Sequence, residues 1–306
     1  MGACDCFLAA FRVCAGSVSE LLLPEPDIQP LKRQERRWRP RSRGGKELYD
    51  MDDILSYEGY ELVFEENFDG ERLDRGRWNV ELHEPGWVNE ELQEYVDSEE
   101  TVCLKDGKLL IRPVRTVDEK GRVSFYSGRI STQWKHDFTY GIFEARLKVP
   151  RGKGYLPAFW LMTTDEGRYE KWPVCGEIDI MEIWGSQTKT AYGTLHYGLP
   201  HEQNQGGMTL AEGDFAEEYH DFALKWEPEM IRWYVDGRLF HETGQWFSTG
   251  RDGGKNPYPA PFDHDMYIIL NLAVGGSWVG YPDETTDFDH AVYAVDHVRA
   301  YQRRQG

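Results

Sequence analysis

The stretch Trp172 to Gly185, WPVCGEIDIMEIWG, places three carboxylates, Glu177, Asp179 and Glu182, among Ile178, Ile180, Met181, Ile183 and Trp184. Branched apolar neighbours between Pro and Gly boundaries predict a strand rather than a helix. In a regular strand residues 177, 179 and 181 share one face and Glu182 points the other way. One extra residue, a β-bulge, would bring Glu182 round to the face of Glu177 and Asp179. Three acids on one buried face repel one another and lose hydration, which raises the pKa of at least one. That arrangement suits acid/base chemistry. Cleaving a glycosidic bond with retention needs two carboxyls about 5–5.5 Å apart, one as nucleophile and one as proton donor. The residues alone leave two other readings open, an acidic solvent face and a metal site.

A scaffold of strands must hold these acids. From Tyr60 onward short candidate strands are broken by Gly, Asp and Pro: Glu61–Phe64, Lys108–Arg112, Gly141–Val149, Ala191–His196, Asp221–Trp226, Ile231–Val235, Met266–Leu272 and Val292–Tyr301. Asp106-Gly107 and Asp236-Gly237 each adjoin such a run and signal hairpins. Many short strands with little helical periodicity predict an all-β sandwich. No internal repeat is evident, and the stretch from His201 to Gly213 reads as a loop that borders the site.

Net charge is −18 over 306 residues. Residues 1–46 carry nine Lys/Arg against five Asp/Glu, leaving 26 basic and 48 acidic residues in the remainder. So acidic a domain is a poor partner for nucleic acid and suits a neutral polymer. Two units are expected, an extension over 1–46 that is disordered or targeting, and a catalytic domain over 47–306. The apolar run Cys6 to Phe11 is short, cut by Arg12 and preceded by Asp5, a poor match to an export signal. Met1-Gly2 starts like a myristoylation site, but Cys6 stands where Ser or Thr is wanted. Lys32 to Arg43 holds seven basic residues and reads as a linker. Cys103 and Cys175 are the only cysteines of the domain, so neither a disulfide framework nor a CxxC metal pair is expected. No run of 18 apolar residues predicts a membrane span.

GEIDIME behind Trp172-Pro173 resembles the active-site signature of glycoside hydrolase family 16, in its bulged, laminarinase-like branch. LVFEENFDG, GWVNEELQEYV, SGRISTQ, YGIFEARLKVP, LPAFWLM, GTLHYG, HDFALKWEPEMIRWYVDG, NLAVGGSWVG and VDHVRAYQ follow in family order, so the resemblance covers nearly all of residues 60–302. It implies a β-jelly roll with a concave substrate cleft, and an endo-acting, retaining hydrolase of β-1,3-glucan or mixed-linkage β-1,3-1,4-glucan. Within it Glu177 is the nucleophile, Asp179 the residue that tunes it, and Glu182 the general acid/base. Alternatives in the same family are a hydrolase of agar- or carrageenan-type galactans and a transglycosylase. A β-glucan-binding protein without catalysis is a further alternative, disfavoured because both glutamates are present.

A glucan chain needs aromatic faces for its rings and polar groups for its hydroxyls. The resemblance makes Trp160, Trp172 and Trp278 subsite walls, where any lone Trp could instead pack a core. It places His196 of GTLHYG beside the acid/base, and makes Asn89 and Arg129 hydroxyl-binding residues on the non-reducing side. A satisfied strand histidine, an exposed Asn and a salt-bridged Arg are the plainer readings. His220 reads as structural. No cofactor is required. The family's structural calcium would fall at Asn67, Gly107 and Asp296, with Asn67 standing where an acid is usual and costing the site one charge. The expected partner is a β-glucan met by a monomer, outside the cell because the polymer is too large to enter one.

Overall fold

Both Asp-Gly pairs close two-residue hairpins. Lys105 and Lys108 exchange backbone hydrogen bonds of 2.9 and 3.1 Å around Asp106-Gly107, and Val235 pairs with Arg238 around Asp236-Gly237. All four turn residues have positive φ, between 49° and 73°, the backbone that matches the twist of the flanking strands. The computed structural model describes residues 53–304 and two paired dipeptides, Ser42–Arg43 and Lys46–Glu47. The export-signal, myristoylation and linker readings of residues 1–41 lie outside the described residues.

Among the described residues there is no α-helix, and two eight-stranded sheets dominate. One runs in the order Asn79–Val80, Arg129–Ser131, Met266–Val274, Tyr155–Thr163, Glu177–Ile183, Thr190–Tyr197, Glu202–Thr209, with Asp137–Phe138 also on Met266–Val274. The other runs Val102–Leu104, Leu109–Ile111, Tyr293–Arg303, Gly141–Lys148, His220–Glu227, Met230–Val235, Arg238–Thr243, with Tyr60–Glu66 also on Tyr293–Arg303. Every pairing in both is antiparallel, the β-jelly-roll sandwich expected. Gln93–Tyr95, Val123–Ser127 and Val114–Val117 form a small third sheet. His201 to Gly213 is not a loop as expected: Glu202–Thr209 is a full strand at the edge of the first sheet. Its Gln, Asn and Gly residues lack strand propensity, and backbone pairing with a neighbour overrides that preference.

The core lies between the sheets and includes Phe143, Phe159, Ile178, Leu195, Phe222, Trp226, Trp233, Leu270 and Tyr293, all fully buried. Trp233 reaches across from the second sheet and donates its indole N–H to the carbonyl of Asp179 at 2.7 Å. Gly193 makes that reach possible, because a Cβ there would lie 2.4 Å from the Trp233 ring. Gly193→Ala therefore forces the indole off the Asp179 carbonyl. The expected cost is about 1–3 kcal/mol, the range for overpacking a filled core, seen as a lowered midpoint in urea unfolding together with reduced activity.

Candidate active site

The catalytic strand Glu177–Ile183 carries the bulge that its spacing demands. Along its neighbour Tyr155–Thr163, Glu177 lies opposite Met162, Asp179 opposite Trp160, Met181 opposite Phe159 and Glu182 opposite Ala158, so Ile180 is the extra residue. On the other side Glu177 faces His196, Asp179 faces Thr194 and Glu182 faces Tyr192. After the inserted residue the alternation resets: Ile178, Ile180, Met181 and Ile183 are all buried in the core. Glu177, Asp179 and Glu182 are left on the opposite, concave face, Asp179 buried and the two glutamates partly open to the cleft.

Burial and mutual repulsion govern these acids. For Glu182, loss of hydration comes first, followed by Asp179, Glu177 and Glu91; all push the same way and hold its proton well above the ordinary carboxyl range. Burial and Asp179 push Glu177 up to about 8, while His196, Arg129 and a hydrogen bond from Trp172 pull it back. With no opposing cation on Glu182, the proton is held harder there, and Glu177 is the more readily ionised of the two.

His196 is not beside the acid/base as expected. It faces Glu177 in register, with Nε2 3.3 Å from Asp179 Oδ2 and 3.8 Å from Glu177 Oε1. Glu182 faces Tyr192 instead, four residues away along the strand, or roughly 13 Å. The imidazole thus sits at the Glu177 end of the site. Burial opposes its charge, but the hydrogen bond and negative charge of Asp179, and then Glu177, outweigh burial and raise its pKa.

The substrate-binding candidates divide between two flanks. On one, Arg129 is buried opposite Asn271. Its guanidinium lies 4.8 Å from the centroid of Trp160 and 5.3 Å from that of Trp87, and it is ion-paired with Glu81. Burial alone would raise Glu81, yet the His83 hydrogen bond and the Arg129 charge hold it at about 2. His83 stacks on Trp87 at 3.6 Å. Trp160 donates its indole N–H to Asn271 Oδ1 at 2.7 Å, and Asn271 Nδ2 donates to Tyr95 at 3.0 Å. Arg129 is therefore a buried, salt-bridged cation held between two indole rings. Asn89 sits in the left-handed region at φ 51°, and its carbonyl accepts the N–H of Ser277, tying its loop to the one that carries exposed Trp278. On the other flank exposed Trp172 leans on His196 and His201, with centroids 6.1 and 4.9 Å away. His220 is structural as expected, bonded through Nδ1 to Asp236 at 2.8 Å.

Sequence reasoning missed Glu81, His83, Trp87, Asn271 and His201. Trp87 and Asn271 sit inside recognised motifs, and strand alternation would have placed Asn271 beside Arg129 had the pairing been known. Glu81 and His83 carry no local signal.

Asn67, Gly107 and Asp296 lie on neighbouring segments. Tyr60–Glu66 and Leu109–Ile111 pair with successive parts of Tyr293–Arg303, and the gap between them falls opposite Asp296. The single carboxylate of the set is already engaged, by Lys108 Nζ at 3.4 Å and His297 Nδ1 at 3.0 Å. Asn67 adds no charge, so these residues as they stand do not fit a calcium ion, and no chemistry below depends on one.

The raised Glu182 carboxyl has a thermodynamic consequence. A group whose folded pKa exceeds its unfolded one binds its proton more tightly when folded, so stability falls as pH rises above the unfolded value towards the folded one. Glu182→Gln removes that loss. The variant should melt roughly 2–4 °C above the parent at pH 8, the shift about 1 kcal/mol makes in a domain of this size, and match it near pH 4. Calorimetry at the two pH values checks both the sign and the pH dependence.

The family model for glycosyl hydrolases family 16 matches residues 87–291. A glucan endo-1,3-beta-glucosidase of Niallia circulans is 37% identical over 265 residues, 80% of this chain and 38% of its own length. A glucan endo-1,3-beta-glucosidase of Cryptopygus antarcticus is 36% identical over 252 residues, 78% of this chain and 91% of its own. The laminarinase of Rhodothermus marinus superposes with a TM-score of 0.70 at 32% identity, over 80% of this chain and 98% of that one. Matched in sequence and in fold, the chain belongs to glycosyl hydrolases family 16.

Proposed function

We infer that the chain is an endo-acting glycosidase that hydrolyses β-1,3-glucan or mixed-linkage β-1,3-1,4-glucan by double displacement, with retention at the anomeric carbon. The observation that carries this reading is the register break at Ile180, which puts two glutamates on one face with Asp179 between them, burial and Asp179 raising the proton affinity of each. The Niallia and Cryptopygus relatives are named for cleavage of 1,3-β-glucans, which supports the same substrate class. Walls on both flanks of the acids suit a chain that continues in both directions, hence cleavage within the polymer.

Glu182, holding its proton, gives it to the departing glycosidic oxygen while Glu177 attacks the anomeric carbon. The product is a glycosyl ester on Glu177, with the leaving chain carrying the proton away. Glu182, now a carboxylate, takes a proton from water, whose oxygen displaces Glu177 and restores both groups. Asp179 sits between the two and raises the proton affinity of each. Arg129, Trp160 and Asn271 offer a rigid surface for one sugar, and Trp172 offers a face beyond the scissile bond. The reading includes a monomer acting outside the cell on a polymer that cannot enter it, and no affinity for nucleic acid.

Digestion of laminarin and of barley mixed-linkage glucan side by side, with the anomeric configuration of the first products followed by NMR, tests the proposal. Short β-configured oligomers from either polymer are expected, and Glu177→Ala should cut the rate at least about 100-fold without unfolding the protein. Inversion of configuration would refute double displacement. Cleavage of agar or carrageenan but of neither glucan would move the substrate to galactans.

A further inference from the structure

His201 was outside every recognised motif, yet it touches the imidazole that flanks the nucleophile. It ends the turn at 198–201 that follows the strand Thr190–Tyr197. Its Nε2 lies 2.9 Å from His196 Nδ1, with the two rings stacked at 5.1 Å and 28°. The turn is pinned in place. Leu199 N–H donates to Thr249 Oγ1 at 2.8 Å, and the Thr249 hydroxyl donates back to Leu199 O at 3.1 Å. Gly198 is pressed so close to Phe247 that a Cβ would meet its ring at 2.6 Å. Trp172 covers both imidazoles from the cleft side.

The proton positions follow from what each nitrogen faces. His196 Nε2 lies nearest Asp179 Oδ2, at 3.3 Å, and a carboxylate oxygen only accepts, so this nitrogen carries a hydrogen. Between His196 Nδ1 and His201 Nε2 one must donate. The charged neighbours of His196 decide which: Glu177 and Asp179 face it from the catalytic strand, His201 from the turn, and Gln203 on the edge strand and Trp172 bring no charge. Two acids against one ring favour the imidazolium, with both nitrogens donating. The neighbouring positive charge, after burial, in turn lowers the pKa of His201, which leaves that ring neutral and able to accept.

We propose that His201 is a positioning residue: its neutral Nε2 accepts the Nδ1–H of His196 and holds that ring as an imidazolium beside Asp179 and Glu177. This rests on the retaining mechanism above, in which Glu177 must be ionised to attack. A fixed positive charge beside Glu177 favours its anion. Remove the acceptor and His196 gives up its proton at lower pH. Glu177 then keeps its own proton further into the neutral range, and the nucleophile is lost there first.

The test is the pH profile of kcat/KM on laminarin from pH 4.5 to 8.5 for the parent, His201→Ala and His201→Gln. Activity at pH 7.5 relative to pH 5.5 should fall about 3–10-fold in His201→Ala, a modest share of the usual worth of a hydrogen bond to a charged group. His201→Gln, whose amide oxygen still accepts, should recover that ratio to within about twofold. The ratio unchanged in His201→Ala, or equally reduced in both variants, would overturn the proposal. Titration of the His196 ring by 15N NMR in the parent and in His201→Ala gives a readout independent of turnover. A lower midpoint in the variant supports the proposal, and an unmoved midpoint sinks it. A parent inactive on both glucans would refute the functional reading, while the NMR arm would still decide this one.

Discussion

Like-charge repulsion on a single buried strand is the constraint around which this sandwich is built. Two glutamates and an aspartate within six residues, all facing one cleft, form an arrangement that water would break apart and a regular strand would never assemble. The extra residue Ile180 assembles it, and the sheet behind must then hold a locally irregular backbone still. The indole N–H of Trp233 does so from the opposing sheet, by taking the Asp179 carbonyl. Gly193 clears the space in between. The chemistry of the cleft and the packing of the core thus meet at one peptide group.

The charges on the concave face are graded. Glu182 has acids around it and no compensating cation. Glu177 has Asp179 on one side, with His196 and Arg129 as counterweights. The same strand therefore gives its two glutamates different electrostatic surroundings. Position along the strand, rather than residue type, makes the difference.

Much of this was readable from local patterns. The bulge follows from the spacing of Glu177, Asp179 and Glu182, and the hairpins from Asp106-Gly107 and Asp236-Gly237, because backbone dihedrals and side-chain alternation are set within a few residues. What escaped reading depends on partners far apart in the chain. Glu81 meets Arg129 across 48 residues. The polar stretch after His201 becomes a strand only because Thr190–Tyr197 offers an open edge. The GTLHYG motif puts His196 near the acids without stating the register, and the register sets it opposite Glu177.

The two flanks of the cleft are fastened very differently, and this bears on how the enzyme can diversify. Around Arg129 each group holds the next: the segment with Glu81, His83 and Trp87 joins Tyr95, Trp160 and Asn271 in one hydrogen-bonded and stacked array. Any exchange there disturbs several members at once. Across the acids the wall rests on a terminal strand and a short turn, with Gln205 joined to Thr194 at 3.0 Å and no further strand of that sheet beyond it. Substitutions on that side can accumulate one at a time. Variation in which glucan linkages are accepted should therefore gather at the edge strand, while the grip around Arg129 stays the same across variants.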